Sequence, residues 1–210
     1  MLKEVQISMT YKLSVSNGNM KMGAIPSISL PSIKSCRSDA PCASKCYACR
    51  MEKRYKNVRN AYQNNLDMFL DAPLEFEKQA VGAAYPSRYF RWHVSGDILN
   101  QSYFEMMIYI ARVCKYTQFL AFTKKYELVN TYLSGGGVIP ENLKIVFSVW
   151  EGLDCKNPYH LPEAHVLYKD GTTTAPDNTK VCGGNCYNCI CQGIGCWEMK
   201  HGESIMFKEH

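Results

Sequence analysis

Four cysteines near the C-terminus, Cys182, Cys186, Cys189 and Cys196, have the types and spacing of a cluster ligand set. The stretch Val181-Cys182-Gly183-Gly184-Asn185-Cys186-Tyr187-Asn188-Cys189 contains C-x3-C-x2-C. Thiolates two or three residues apart can wrap one metal centre, because the intervening loop turns back and aims successive sulfurs inward. Gly183 and Gly184, and later Gly193 and Gly195, let the backbone come close to inorganic sulfides. A cubane needs a fourth ligand, and both Cys191 and Cys196 follow. Cys196 is the better choice, since Cys191 lies two residues from Cys189 and is expected to point away. Trp197 would then shield the centre from water. A [4Fe-4S] cluster is the expected cofactor. A structural zinc is the competing reading, and it lacks the second C-x2-C knuckle such sites use.

A second candidate set stands near the N-terminus. In Cys36-Arg37-Ser38-Asp39-Ala40-Pro41-Cys42-Ala43-Ser44-Lys45-Cys46-Tyr47-Ala48-Cys49, the last three cysteines repeat C-x3-C-x2-C and Cys36 offers a fourth thiol. The spacing allows one cluster or two. Cys114 and Cys155 sit alone and read as ordinary thiols. Eleven cysteines are an odd count for a disulfide scaffold, and residues 1–10 alternate charged and apolar side chains instead of forming a secretory signal. No apolar run reaches the ~20 residues of a membrane helix. The expected location is the cytoplasm, without membrane contact. The net charge of +5 is spread along the chain. The basic group Arg50, Lys53, Arg54, Lys56 and Arg59 reads as a solvated helix face, not a nucleic-acid site.

These thiols must be held by elements that the hydrophobic pattern outlines. Strands are expected over 89–94, 118–123, 144–150, 165–168 and 203–208, and helices over 52–70, 101–114 and 126–133, with Pro73 in the loop after the first helix. Alternating strands and helices imply parallel pairing. The expected fold is therefore one α/β domain over 1–210, either an incomplete β/α (TIM-like) barrel or a parallel sheet, with cysteine-rich segments at 36–49 and 182–196. In both architectures chemistry gathers at the C-terminal ends of strands. His93, Asp97 and Lys125 fall there and are the candidate catalytic residues, expected to share one pocket with the cluster. The plainer reading of His93 is a hydrogen-bonded core residue, and Trp92 and Trp150 read as core.

The N-terminal cysteine loop resembles the cluster loop of radical S-adenosylmethionine enzymes, which have an incomplete β/α barrel and leave one iron open for the cofactor. Ser95-Gly96-Asp97 resembles their glycine-rich acidic stretch. Over a greater length the chain resembles the phage gene product 88-like family. That likeness runs through Leu30-Pro31-Ser32-Ile33-Lys34-Ser35-Cys36, Ala40-Pro41-Cys42, Cys46-Tyr47-Ala48, Arg91-Trp92-His93-Val94-Ser95-Gly96-Asp97 and Phe122-Thr123-Lys124-Lys125. It continues from Cys182-Gly183-Gly184-Asn185-Cys186 to Gly195-Cys196-Trp197 and the terminal His210. It implies a phage-encoded iron-sulfur protein working in the host cytoplasm, with Cys36, Cys42 and Cys46 as motif positions and Cys49 and Cys191 dispensable. The leading functional expectation is electron transfer or a small oxidoreductase activity, with a redox partner or small-molecule substrate. A radical S-adenosylmethionine-like enzyme with an auxiliary cluster comes second and a zinc-stabilised binding module third. S-adenosylmethionine is not expected to be cleaved, because a fourth thiolate from Cys36 would close the open iron.

Overall fold

The computed structural model describes residues 11–209. The 1–10 stretch that bears on a secretory signal and the terminal His210 lie outside the described residues. Among the described residues, seven strands form one sheet in the order β1-β2-β3-β4-β5-β7-β6, and every pair is parallel. They are β1 (Ser27–Ile28), β2 (Tyr89–Trp92), β3 (Gln118–Thr123), β4 (Leu143–Ser148), β5 (Glu163–Leu167), β6 (Lys180–Val181) and β7 (Ser204–Lys208). The sheet stays open, with β1 and β6 at its edges, so the expected α/β fold is present as an all-parallel sheet that does not close into a barrel.

Parity along the strands divides the molecule into two cores. Phe90 and Trp92 of β2, Phe119 and Ala121 of β3, and Ile145 and Phe147 of β4 point to one face. There they meet Phe69 of α3 (Lys56–Asp71), Phe76 of α4 (Pro73–Ala84), Tyr103 and Met107 of α5 (Gln101–Val113) and Val129 of α6 (Tyr126–Ser134). Each fully buried aromatic or aliphatic side chain stabilises the fold by about 1.5–3 kcal/mol. The opposite parity sends Leu120, Phe122, Val146, Ala164, Ile205 and Phe207 to the other face. Among the described residues, none of α3 to α6 contributes to that core. Met22 and Ile25 from the N-terminal loop and Trp197, Ile190, Cys186 and Cys196 from the C-terminal cysteine segment pack on it instead.

Several boundaries differ from expectation for identifiable reasons. The helix expected over 52–70 is two, α2 (Tyr47–Arg54) and α3, divided at Tyr55, whose backbone is extended. Pro73 does not sit in a loop. It is the first residue of α4, where its missing N–H leaves no bond unmade. Strand β2 ends two residues early because His93 turns to a positive φ of 57°. Among the described residues no helix is long and apolar enough to cross a membrane.

Candidate functional site

The C-terminal cysteine segment is built outward from the edge of the sheet. Strand β6 pairs with β7, and the Cys182 N–H donates to the Met206 carbonyl at 2.7 Å, which fixes the first thiol at the sheet edge. The Gly184 N–H then donates to Cys182 Sγ at 3.4 Å. Asn185 caps α7 (Cys186–Cys191), its side-chain oxygen accepting the Asn188 N–H at 2.9 Å. A further bond, from the Cys186 N–H to the Lys21 carbonyl at 2.9 Å, ties this short helix to the N-terminal loop.

Within α7, Cys186 and Cys189 are three residues apart and so share a face. The return of the chain brings in the fourth thiol. Gly195, at φ 96°, passes so close to Cys189 that a Cβ there would stand 2.8 Å from the Cys189 Cβ and 3.3 Å from its sulfur. Cys196 follows, and the buried Trp197 sets its ring edge-on to Tyr89 with centroids 5.8 Å apart. The result is that Cys182, Cys186, Cys189 and Cys196 lie within electrostatic reach of one another. Cys191 is exposed and belongs to none of these contacts. As placed, no three His, Cys, Asp or Glu side chains among the described residues stand close enough to ligate a single ion.

The electrostatics of this face are unusual for a parallel sheet. Burial pushes the Cys196 thiol up to about 12, with Arg91 pulling the other way and the three neighbouring cysteines adding to the rise. Burial also raises Cys186, opposed by Arg91 and Lys21, and raises Cys189. A cavity of about 240 Å³ opens beside the first thiol, lined by Lys21, Cys182, Gly184, Phe207 and Glu209 among others. Sequence reasoning passed over Arg91. The available signal was a charged residue inside Tyr89-Phe90-Arg91-Trp92, since strands of a sheet covered on both faces carry few charges.

The N-terminal set occupies a different place, at the C-terminal edge of the strands. It runs from α1 (Ser32–Ser35) through a 3₁₀ turn at Pro41–Lys45 into α2. Burial pushes Cys36 up to about 12, next helped by Asp97, opposed by Lys124, and raised further by Cys42 and Cys46. Cys36, Cys42 and Cys46 therefore form the close group. Cys49 touches it through the backbone, its N–H donating to Cys46 Sγ at 3.4 Å.

Two clasps hold this loop, and sequence reasoning identified neither. At its start, Ser35 Oγ donates to the Pro31 carbonyl and accepts the Asp97 N–H at 3.1 Å. Beyond its end, the buried Glu52 carboxylate of α2 accepts the Ser32 N–H at 2.9 Å and the Ser95 hydroxyl at 3.0 Å. Lys45 adds an ion pair to Glu209 at 2.7 Å, on the rim of the cavity beside Cys182.

His93, Asp97 and Lys125 do come near one another, but as parts of a packed strand end. Asp97 is 4% exposed. Its Oδ1 accepts the Ile98 N–H at 2.7 Å and its Oδ2 the Lys124 N–H at 2.9 Å, with the Thr123 hydroxyl as a further partner. Lys125 Nζ donates to the Leu99 carbonyl at 2.8 Å, and burial lowers its pKa against the pull of Asp97 and Cys36. His93 lies beside Tyr103, with Nε2 3.1 Å from the hydroxyl, while its Nδ1 has no partner among the described residues. Both Trp92 and Tyr103, which flank His93, belong to the helix-side core, whereas Cys186 and Cys196 belong to the other. The pocket expected to unite these residues with the C-terminal thiols is therefore not formed. Strand alternation alone would aim His93 with Arg91 toward the thiol face; the turn of its backbone to φ 57° instead sets the ring against Trp92 and Tyr103, away from the face that carries Cys186 and Cys196.

Burial, then Arg91 and Lys125, bring the His93 pKa down to about 3. An imidazole with a folded pKa below its usual ~6.5 supports folding in its neutral form. That contribution is full above about pH 6.5 and is lost as pH falls toward about 3, with a slope of up to ~1.4 kcal/mol per pH unit. His93→Gln is expected to flatten the pH dependence of urea-unfolding stability between about pH 6 and pH 4. Equal slopes for the two proteins would show that His93 is not the buried neutral group.

A family model described as gene product 88 matches residues 7–175. The matched stretch contains Cys36 to Cys49, Arg91 to Asp97 and Phe122 to Lys125, and it ends before Cys182. No curated protein and no solved structure matches the chain.

Proposed function

We propose, for a chain that belongs to the phage gene product 88 family, that Cys182, Cys186, Cys189 and Cys196 hold a [4Fe-4S] cluster and that the protein is an electron carrier or small oxidoreductase of the host cytoplasm. The observation that carries this reading is the gathering of four thiols from a sheet edge, a short helix and its return loop, with Cys191 excluded and a cation beside them. Soft thiolate donors in a set of four, with a cavity at one corner, suit an iron-sulfur group. When bound, such a group supplies one-electron chemistry. The chain's own residues supply the surroundings. Trp197, Ile190, Phe122 and Phe207 keep water away, the Gly184 N–H donates to a ligand sulfur, and Arg91 and Lys21 place positive charge near the thiols. Exclusion of water and hydrogen bonds to sulfur are what tune such centres.

A second reading is favoured by the N-terminal loop. Cys36, Cys42, Cys46 and Cys49 rise from the C-terminal edge of a parallel sheet, where substrates of such folds bind. On that reading the C-terminal centre is auxiliary and the N-terminal one catalytic, as in a radical S-adenosylmethionine-like enzyme. The closeness of Cys36 to Cys42 and Cys46 supports the simpler redox protein, because a thiolate there competes for the iron the cofactor would occupy.

Anaerobic purification followed by iron and sulfide analysis and electron paramagnetic resonance tests both. About four irons and four sulfides per chain are expected for one cluster and about eight of each for two. Colourless protein containing one zinc per chain would instead support the zinc-stabilised module. Incubation of the reduced protein with S-adenosylmethionine is expected to yield no 5′-deoxyadenosine above a cysteine-variant control. Its appearance would promote the radical enzyme.

A further inference from the structure

We infer that Arg91 is the built-in counter-ion of the C-terminal thiol centre and biases that centre toward its more negative, reduced state. The inference rests on the cluster reading above and concerns a residue that the reading does not require. Arg91 sits on the strand next to the β1 edge, with Ser27 of β1 and Leu120 of β3 as its register partners. Parity turns its side chain away from Trp92 and toward the face covered by the cysteine segment. The guanidinium carbon lies 4.3 Å from the centroid of the Phe122 ring, and Nε–H donates to the Trp92 carbonyl at 3.1 Å.

What the guanidinium lacks is a carboxylate. Among the described residues no ion pair includes Arg91, and the groups of opposite sign that act on it are the thiols of Cys196, Cys186 and Cys182. An arginine keeps its proton under all ordinary conditions, so burial does not resolve the charge by neutralising it. Even half-burial without a counter-charge is unfavourable. Neutral thiols do not meet that need. Four thiolates around an iron-sulfur core do, because the assembly carries net negative charge that grows on reduction. A positive charge held beside it at a half-buried position therefore stabilises the reduced form most, and salt screens it less than a fully exposed charge. Lys21, which also acts on Cys186, is exposed and so exerts a weaker, salt-sensitive pull.

The test uses the full chain, reconstituted anaerobically, with the midpoint read by redox titration under electron paramagnetic resonance and iron counted on the same samples. Arg91→Met is expected to move the midpoint to more negative values, Arg91→Lys by less, and Lys21→Met by less again, with only the Lys21 effect vanishing at high salt. If Arg91→Met does not fold, Arg91→Gln carries the same expectation. An unchanged midpoint in Arg91→Met or Arg91→Gln at full iron content overturns the counter-ion role and leaves the cluster assignment standing. Wild-type protein that takes up no iron overturns the assignment itself.

Discussion

Replacing Cys186 by alanine is expected to strip the C-terminal centre of its iron, leaving a protein that is folded but has lost the cluster's colour and spin signal. Cys186 opens α7, one turn before Cys189, and its backbone is bonded to Lys21, so no neighbouring thiol can slide into its place without undoing the cap at Asn185. Cys191, the nearest spare thiol in sequence, is exposed and lies outside the group of four. Three thiolates leave one iron of a cubane without a protein ligand. Cys191→Ala is expected to keep the wild-type iron content. Iron per chain and the visible spectrum decide the matter, and retention of full iron by Cys186→Ala would sink the assignment. Cys191 is exposed and Cys186 is only half-buried at the border of its core, so thermal unfolding of the iron-free proteins should agree to within about 1 kcal/mol.

The sheet was legible where a strand is long enough to carry a pattern. Strand β3 lies where Gln118-Phe119-Leu120-Ala121-Phe122-Thr123 places it, and β4, β5 and β7 are displaced by one or two residues. Strands β1 and β6 are two residues long and cannot show a period. The break at Tyr55 was hidden for another reason. No glycine or proline marks it, and α2 departs from α3 where the buried Glu52 ties it to Ser32 and Ser95, a tertiary bond with no local signature. Spacing favoured Cys196 over Cys191, and the helix that the sequence did not show, α7, turns Cys191 about 200° from Cys189. Spacing could not show that the C-terminal thiols and His93 lie on opposite faces. That depends on the parity of β2 and on the turn of the backbone at His93.

The strongest effect on the fold is expected from Gly96→Ala, in the loop that clasps the N-terminal cysteine segment. Gly96 has φ 83°, a conformation in which a Cβ is disfavoured by roughly 1–2 kcal/mol. Space is the larger obstacle. A Cβ would stand 2.5 Å from Ser35 Oγ and 2.7 Å from the Leu30 carbonyl oxygen, and neither can retreat freely. The Ser35 hydroxyl is held between the Pro31 carbonyl and the Asp97 N–H, and the Leu30 N–H is bonded to the Ser95 carbonyl at 3.1 Å. Overpacking of this kind costs about 1–3 kcal/mol, so the total is expected near 2–4 kcal/mol. That is a large share of the ~5–15 kcal/mol that holds a domain folded. The damage should also reach the cysteines, since Cys36 directly follows Ser35. Moving that hydroxyl loosens the link to Asp97 and further exposes a thiol that is now half-buried. Gly183→Ala is the control, because nothing lies within 4 Å of a Cβ there. Urea unfolding and the rate of Cys36 alkylation, followed by mass spectrometry of the digested protein, measure the two consequences. A loss below about 1 kcal/mol in Gly96→Ala, with Cys36 alkylated no faster than in the Gly183→Ala control, would mean that the loop is not held through this contact.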